Sequence, residues 1–164
     1  MVMKVLLRLI NLLPRSIRKF LFVGLGLLRR PMTLGVRIVV RDEAGAFLLV
    51  RHTYAPGWHF PGGGVERRET IHQTTIKKLH KKYHIKTLKT PKLFHFYYNP
   101  ISSRFDHVGL FICTKWRQVT AWQPDHEIAE IGFFAADKLP EQTTQSTRNR
   151  IAELIDGKAV SDVW

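Results

Sequence analysis

GGGVERRETIHQTTIKKLHKKYHI, residues 62–85, changes character half-way along its length. Its opening glycines, Gly62, Gly63 and Gly64, leave the backbone bare, so that a phosphate can approach closely where a loop runs into a helix. Glu69 and Thr70 then open a helix that runs to about His84, with the Glu69 charge placed to favour the positive end of the helix dipole. Lys78, Lys81 and Lys82 differ by three and four positions, so their side chains emerge on one helical face. That face presents three ammonium groups.

Outward from this segment the chain alternates strand-like runs with turns. TLGVRIVV and AFLLVRHTY are β-branched or aliphatic and flank the turn Asp42-Glu43-Ala44-Gly45, which predicts a hairpin. APGWHFPGGG reads as loop, with Trp58 and Phe60 bulky enough to plug the core or the cleft. KLFHFYY and DHVGLFICTKW predict two further strands joined by a turn at residues 99–103, and EIAEIGFF a short one. DKLP reads as a turn. Residues 144–156 predict a last helix with Ile151, Leu154 and Ile155 on one face and Gly157 as its stop. Two helices among many strands in this order predict an α+β sandwich.

Several of these residues fall on a known frame, G-x5-E-x7-R-E-U-x-E-E-x-G-U, in which U is a bulky aliphatic residue. Gly63 and Glu69 take the opening glycine and the first glutamate, and Leu79 and Ile85 the aliphatic places. With the hairpin before it, the approach WHFPGGGVE and the closing stretch EIAEIGFF…DKLP, the segment resembles the Nudix box. The resemblance covers roughly residues 32–157. It implies an α/β/α sandwich with a mixed sheet over residues 32–164, and a lineage of hydrolases that cleave pyrophosphate bonds in nucleoside diphosphate derivatives. It also implies magnesium or manganese, held by three helix glutamates and by a loop carbonyl that Gly62 would supply. Those three glutamates fall on Lys78, Lys81 and Lys82, while Lys77 replaces the arginine and His84 the second glycine.

The replacement turns three carboxylates into three ammonium groups. At about 5 Å and an effective dielectric near 20, a divalent ion meets roughly 6–7 kcal/mol of repulsion from each, before screening and side-chain swing reduce it. The oxygen ligands that magnesium requires are also missing from these positions. No metal is therefore expected there, and hydrolysis is expected to be lost or reduced, with magnesium or manganese needed for any residual activity. An ammonium can still bind phosphate as a point charge. The carboxylates left near the motif are Glu66, Glu69, Glu127 and Glu130. Glu69, Glu127 and Glu130 are the candidates for residual catalysis. Gly62, Gly63, Gly64, Arg51, Lys78, Lys81 and Lys82 are the candidates for ligand binding. The alternative is a non-catalytic module that binds a nucleotide, polyphosphate or RNA in the basic cleft.

Bulk properties bound the partners. At 164 residues the chain is most simply one domain, and its net charge of +13 favours anionic partners. From Arg67 to Lys92 there are nine Lys or Arg against one acid, and His95, Phe96, Tyr97 and Tyr98 follow, which offers bases a surface to stack on. The lone Cys113 lies in an apolar run, which suits a core residue in a reducing, cytoplasmic compartment. His80 and His84 have a chelating spacing without an obvious third ligand, so they read as exposed polar residues. Residues 1–31 hold seven Lys or Arg and no acid, and MVMKVLLRLINLL places Lys4, Arg8 and Asn11 on one helical face. This basic amphipathic extension could lie on an anionic membrane, pack on the protein's own sheet, or meet a second subunit in a homodimer.

Overall fold

Alternation along β1 (Thr33–Val40) and β2 (Phe47–His52) divides the interior in two. Val36, Ile38, Val40, Leu48 and Val50 join Leu79 and Tyr83 of helix α1 (Ile71–Tyr83) in one core. Val39, Phe47 and Leu49 join Phe60 and Ile151 of helix α2 (Gln145–Ile155) in the other. Successive strand residues point to opposite faces, so strands this apolar must be covered on both sides. The computed structural model describes Pro14, Ile17 and residues 31–164, and Thr33–Trp164 forms one unit, an α/β/α sandwich. The amphipathic extension expected over residues 1–31 lies, apart from Pro14, Ile17 and Pro31, outside the described residues.

The main sheet is mixed, in the order β4 (Gly62–Gly64), β1, β7 (Asp106–Cys113), β6 (Lys92–Tyr98). β1 and β7 run parallel from Thr33 opposite Asp106 to Val40 opposite Cys113, and the two outer strands are antiparallel to their neighbours. A second, antiparallel sheet has the order β3 (Trp58–His59), β2, β9 (Ile128–Phe134), and β5 (Ile85–Thr87) pairs with β8 (Trp116–Gln118). No described helix is long and apolar enough to cross a membrane.

The structure departs from the sequence expectations in several places. The stretch read as loop contains β3 and β4, too short to carry a periodic signal. Its bulky residues go to the core: Phe60 is fully buried and Trp58 packs beside it. DHVGLFICTKW breaks into β7 and β8, and DKLP holds one turn of 3-10 helix. Glu69 precedes the helix and is not in its first turn. Thr70 is the N-cap: its hydroxyl accepts from the Gln73 N–H at 3.2 Å, while the Gln73 side chain accepts from the Thr70 N–H at 2.9 Å. Gly157, just past α2, has φ +61°, as a helix stop requires.

On α2 the buried face is more polar than its sequence suggested. Ile151 is buried and Leu154 packs on the core, but Ile155 on the last turn is 47% exposed. Arg150 is buried instead, donating to Glu153 at 2.7 Å and lying over the Tyr97 ring at 4.3 Å. It also donates to the Val163 carbonyl, which fixes the segment 161–164 along β6. The Tyr98 N–H bonds to the Asp162 carbonyl and the Trp164 N–H to the Tyr98 carbonyl, so this segment adds a short parallel bridge at the end of β6.

Candidate functional site

β4 lies antiparallel on β1, with Gly62 opposite Arg37, Val36 opposite Gly63 and Gly35 opposite Gly64. The approach leaves no room for a side chain at Gly62, where a Cβ would stand 2.0 Å from the Val36 carbonyl oxygen. The Gly62 N–H is tied to the buried Tyr83 hydroxyl at 3.2 Å, which anchors the glycine strand on α1. Beside this strand opens a cleft of about 390 Å³. Arg37, His52, Tyr54 and Lys82 line it together with Gly62, Gly63 and Gly64, and Asn99, Ser102 and Asp106 form its far wall.

The lysine face does not stand free above the cleft. Lys78 packs on the glycine strand, close enough that a Cβ on Gly63 would lie 3.1 Å from its Cε, and its ammonium binds Glu66 at 3.0 Å. Lys77 bridges Glu69 and Glu66, and Lys82 reaches across to Glu127. Arg51, at the end of β2, pairs with Glu130 on the neighbouring β9. Only Lys81 of the three box lysines is exposed, and it makes no ion pair among the described residues. All four carboxylates that the sequence brought forward therefore have a cation as partner. Lys78 and Lys77 hold Glu66 below the usual carboxylate range. Lys77 and the Thr74 hydroxyl do the same for Glu69, as Arg51 does for Glu130.

This donor set does not fit the divalent cation that the box resemblance implies. The helix offers ammonium groups where oxygen ligands are needed, and each nearby carboxylate is engaged. Among the described residues no three His, Cys, Asp or Glu side chains come together as a metal site. His80 and His84 do not form a pair on one helix face. His84 is the C-cap of α1, at φ 54°, and bonds to Thr120.

The cleft's own polar groups went unnoticed in the sequence. Arg37 stands in the middle of an apolar strand, and its guanidinium donates to the Phe60 carbonyl at 3.1 Å. It has no ion pair among the described residues, and burial lowers its pKa. His52 is 6% exposed and its Nδ1 has no hydrogen-bond partner among the described residues. Burial, followed by the nearby Arg37 charge, pushes its pKa down to about 4, so the imidazole is neutral at pH 7. On the far wall, Asp106 accepts from Thr33 at 2.6 Å and from Asn99 at 2.7 Å, leaving Asn99 Oδ1 without a partner. One signal for Arg37 was available: a lone charge within TLGVRIVV. The aromatic run offers less open surface than expected, since Tyr97 is in the core while Phe96 and Tyr98 are about 40% exposed.

An α/β/α sandwich with a mixed sheet, and a glycine-floored cleft beside the capped helix, define an α+β domain. The NUDIX domain family model matches residues 31–154, and the chain belongs to the Nudix family. The MutT NUDIX hydrolase from Burkholderia pseudomallei superposes with a TM-score of 0.64 at 18% identity, over 74% of this chain and 97% of that one. The MutT protein from Methanosarcina mazei Go1 gives 0.59 at 18% identity, over 79% and 98%. An ADP-ribose pyrophosphatase from Streptococcus suis gives 0.51 at 17%, over 79% and 96%. At these identities the likeness is one of fold. The comparison with curated proteins finds no match.

Proposed function

We propose that this Nudix-family protein binds a nucleotide or another phosphate-containing anion in the cleft at Gly62–Gly64, and that its pyrophosphate hydrolase activity is lost or strongly reduced. The observation that carries this reading is the pairing of Lys78 with Glu66 and of Lys82 with Glu127. Ammonium groups sit at positions where the family's metal-binding glutamates belong, and they also engage the carboxylates that remain. Hydrolysis of a phosphoanhydride needs a neutraliser for the developing charge and an activated water. A lysine supplies the first. It has no open coordination position with which to supply the second.

The test is a hydrolysis assay over nucleoside triphosphates, dinucleoside polyphosphates, nucleotide sugars and NADH, with magnesium or manganese. The natural chain is compared with the triple reversion Lys78→Glu, Lys81→Glu, Lys82→Glu. Activity confined to the revertant is the expected result. Turnover by the natural chain at ordinary enzyme rates overturns the reading.

A further inference from the structure

Four cations and four carboxylates around the box cancel in pairs, which leaves open which group carries positive charge into the cleft. Lys78 is engaged with Glu66, Lys77 with Glu66 and Glu69, Lys82 with Glu127, and Arg51 with Glu130. Of the two permanent cations lining the cleft, Lys82 is paired, while Arg37 has no carboxylate in ion-pair contact among the described residues. The one carboxylate whose charge influences it, Asp106, already accepts from Thr33 and Asn99. A guanidinium has five N–H donors, and among the described residues one hydrogen bond is made, to the Phe60 carbonyl. None of its other nitrogens is a buried, unpartnered atom, so these donors face the cleft, where an anion can accept from several at once.

Next to it stands a second unsatisfied group. His52 is more than nine-tenths buried, lines the same cleft and has an Nδ1 without a partner among the described residues. A neutral imidazole can donate or accept a hydrogen bond according to its tautomer, without adding a charge that would repel Arg37. The cleft has the volume of a small-molecule site. Thr33, bonded to the far wall, is four residues from Arg37 along β1, about 13 Å away. On that wall Asn99 Oδ1 is a free acceptor, fixed in orientation because its amide donates to Asp106.

We propose that Arg37, supported by His52, is the phosphoryl receptor of this cleft, and that the ligand is a nucleoside phosphate whose base or sugar donates a hydrogen bond to Asn99. Lys78 and Lys82 then act as internal counter-ions that hold Glu66 and Glu127 in place. This inference rests on the anion-binding reading above and moves the anion's contact from the box helix to β1.

The experiment uses the full-length chain in EDTA, titrated with ADP and with inorganic pyrophosphate. Calorimetry is combined with NMR of the Arg37 Nε–Hε and His52 ring resonances. The expected result is that both resonances move on saturation, and that Arg37→Gln weakens ADP binding about 10- to 100-fold while Arg37→Lys recovers part of the loss. Because the NMR arm uses the natural chain, it stands even if a variant fails to fold. ADP binding that leaves the Arg37 and His52 resonances unmoved overturns the assignment while sparing the anion-binding reading. If neither probe binds, both fall.

Discussion

His52 carries a consequence that reaches beyond the ligand. In the unfolded chain it titrates near 6.5, whereas in the folded protein burial and the Arg37 charge bring it to about 4. Between those values the unfolded state holds the extra proton. The stability that depends on a neutral His52 is therefore complete above about pH 6.5 and disappears as the pH falls towards 4, a loss on the order of 3 kcal/mol. Urea unfolding at pH 7, 5.5 and 4.5 should show that decline, and His52→Gln should flatten it. Parallel profiles for the two proteins would contradict the assignment. Nothing local in HTY announces this behaviour, because the groups responsible arrive from β1 and from α1. The lysine pairs were hidden for the same reason: Lys82 and Glu127 are 45 residues apart, and only the fold makes them neighbours. The shared helical face of Lys78, Lys81 and Lys82 was legible, since their spacing of three and four positions fixes it.

At the scale of elements, α1 is bounded by two devices of opposite quality. Its start is well made, with a reciprocal capping box between Thr70 and Gln73. Its end places His84, a residue with a Cβ, in the left-handed region at φ 54°. Thr70→Ala should lower stability by about 1 kcal/mol. His84→Gly should raise it by up to about 1 kcal/mol, reduced by whatever the Thr120 hydrogen bond contributes. Chemical denaturation of the two variants checks both signs. Helix α1 and the longer strands were legible because period and composition agree over seven or more residues. β3 and β4 were not. Two or three residues rich in glycine carry no period, and what makes Gly62–Gly64 a strand is the partner strand β1 lying 2.0 Å from any side chain Gly62 could bear.

For the molecule as a whole, the cleft's charges are balanced from within. A protein whose box carboxylates are neutralised by its own lysines should have a melting temperature that changes by less than about 1 °C between EDTA and millimolar magnesium or manganese. A rise of several degrees with manganese would show that oxygen ligands are available after all. The triple reversion should acquire that response. The sandwich itself was readable as a class from the order of its elements, but β1 and β2, expected as a paired hairpin, meet only at the Arg41–Phe47 bridge and lie in separate sheets.

β6 is an edge strand of a protein that carries a net charge of +13. Polyanions such as nucleic acids or polyphosphate would draw many copies together, and crowded copies with open strand edges can zip into one another. This edge is poorly suited to that. Residues 162–164 occupy it at Tyr98, an irregularity between Leu93 and His95 breaks its register, and Lys92 puts a charge at its start. Gathering on a polyanion need not, for this chain, become aggregation.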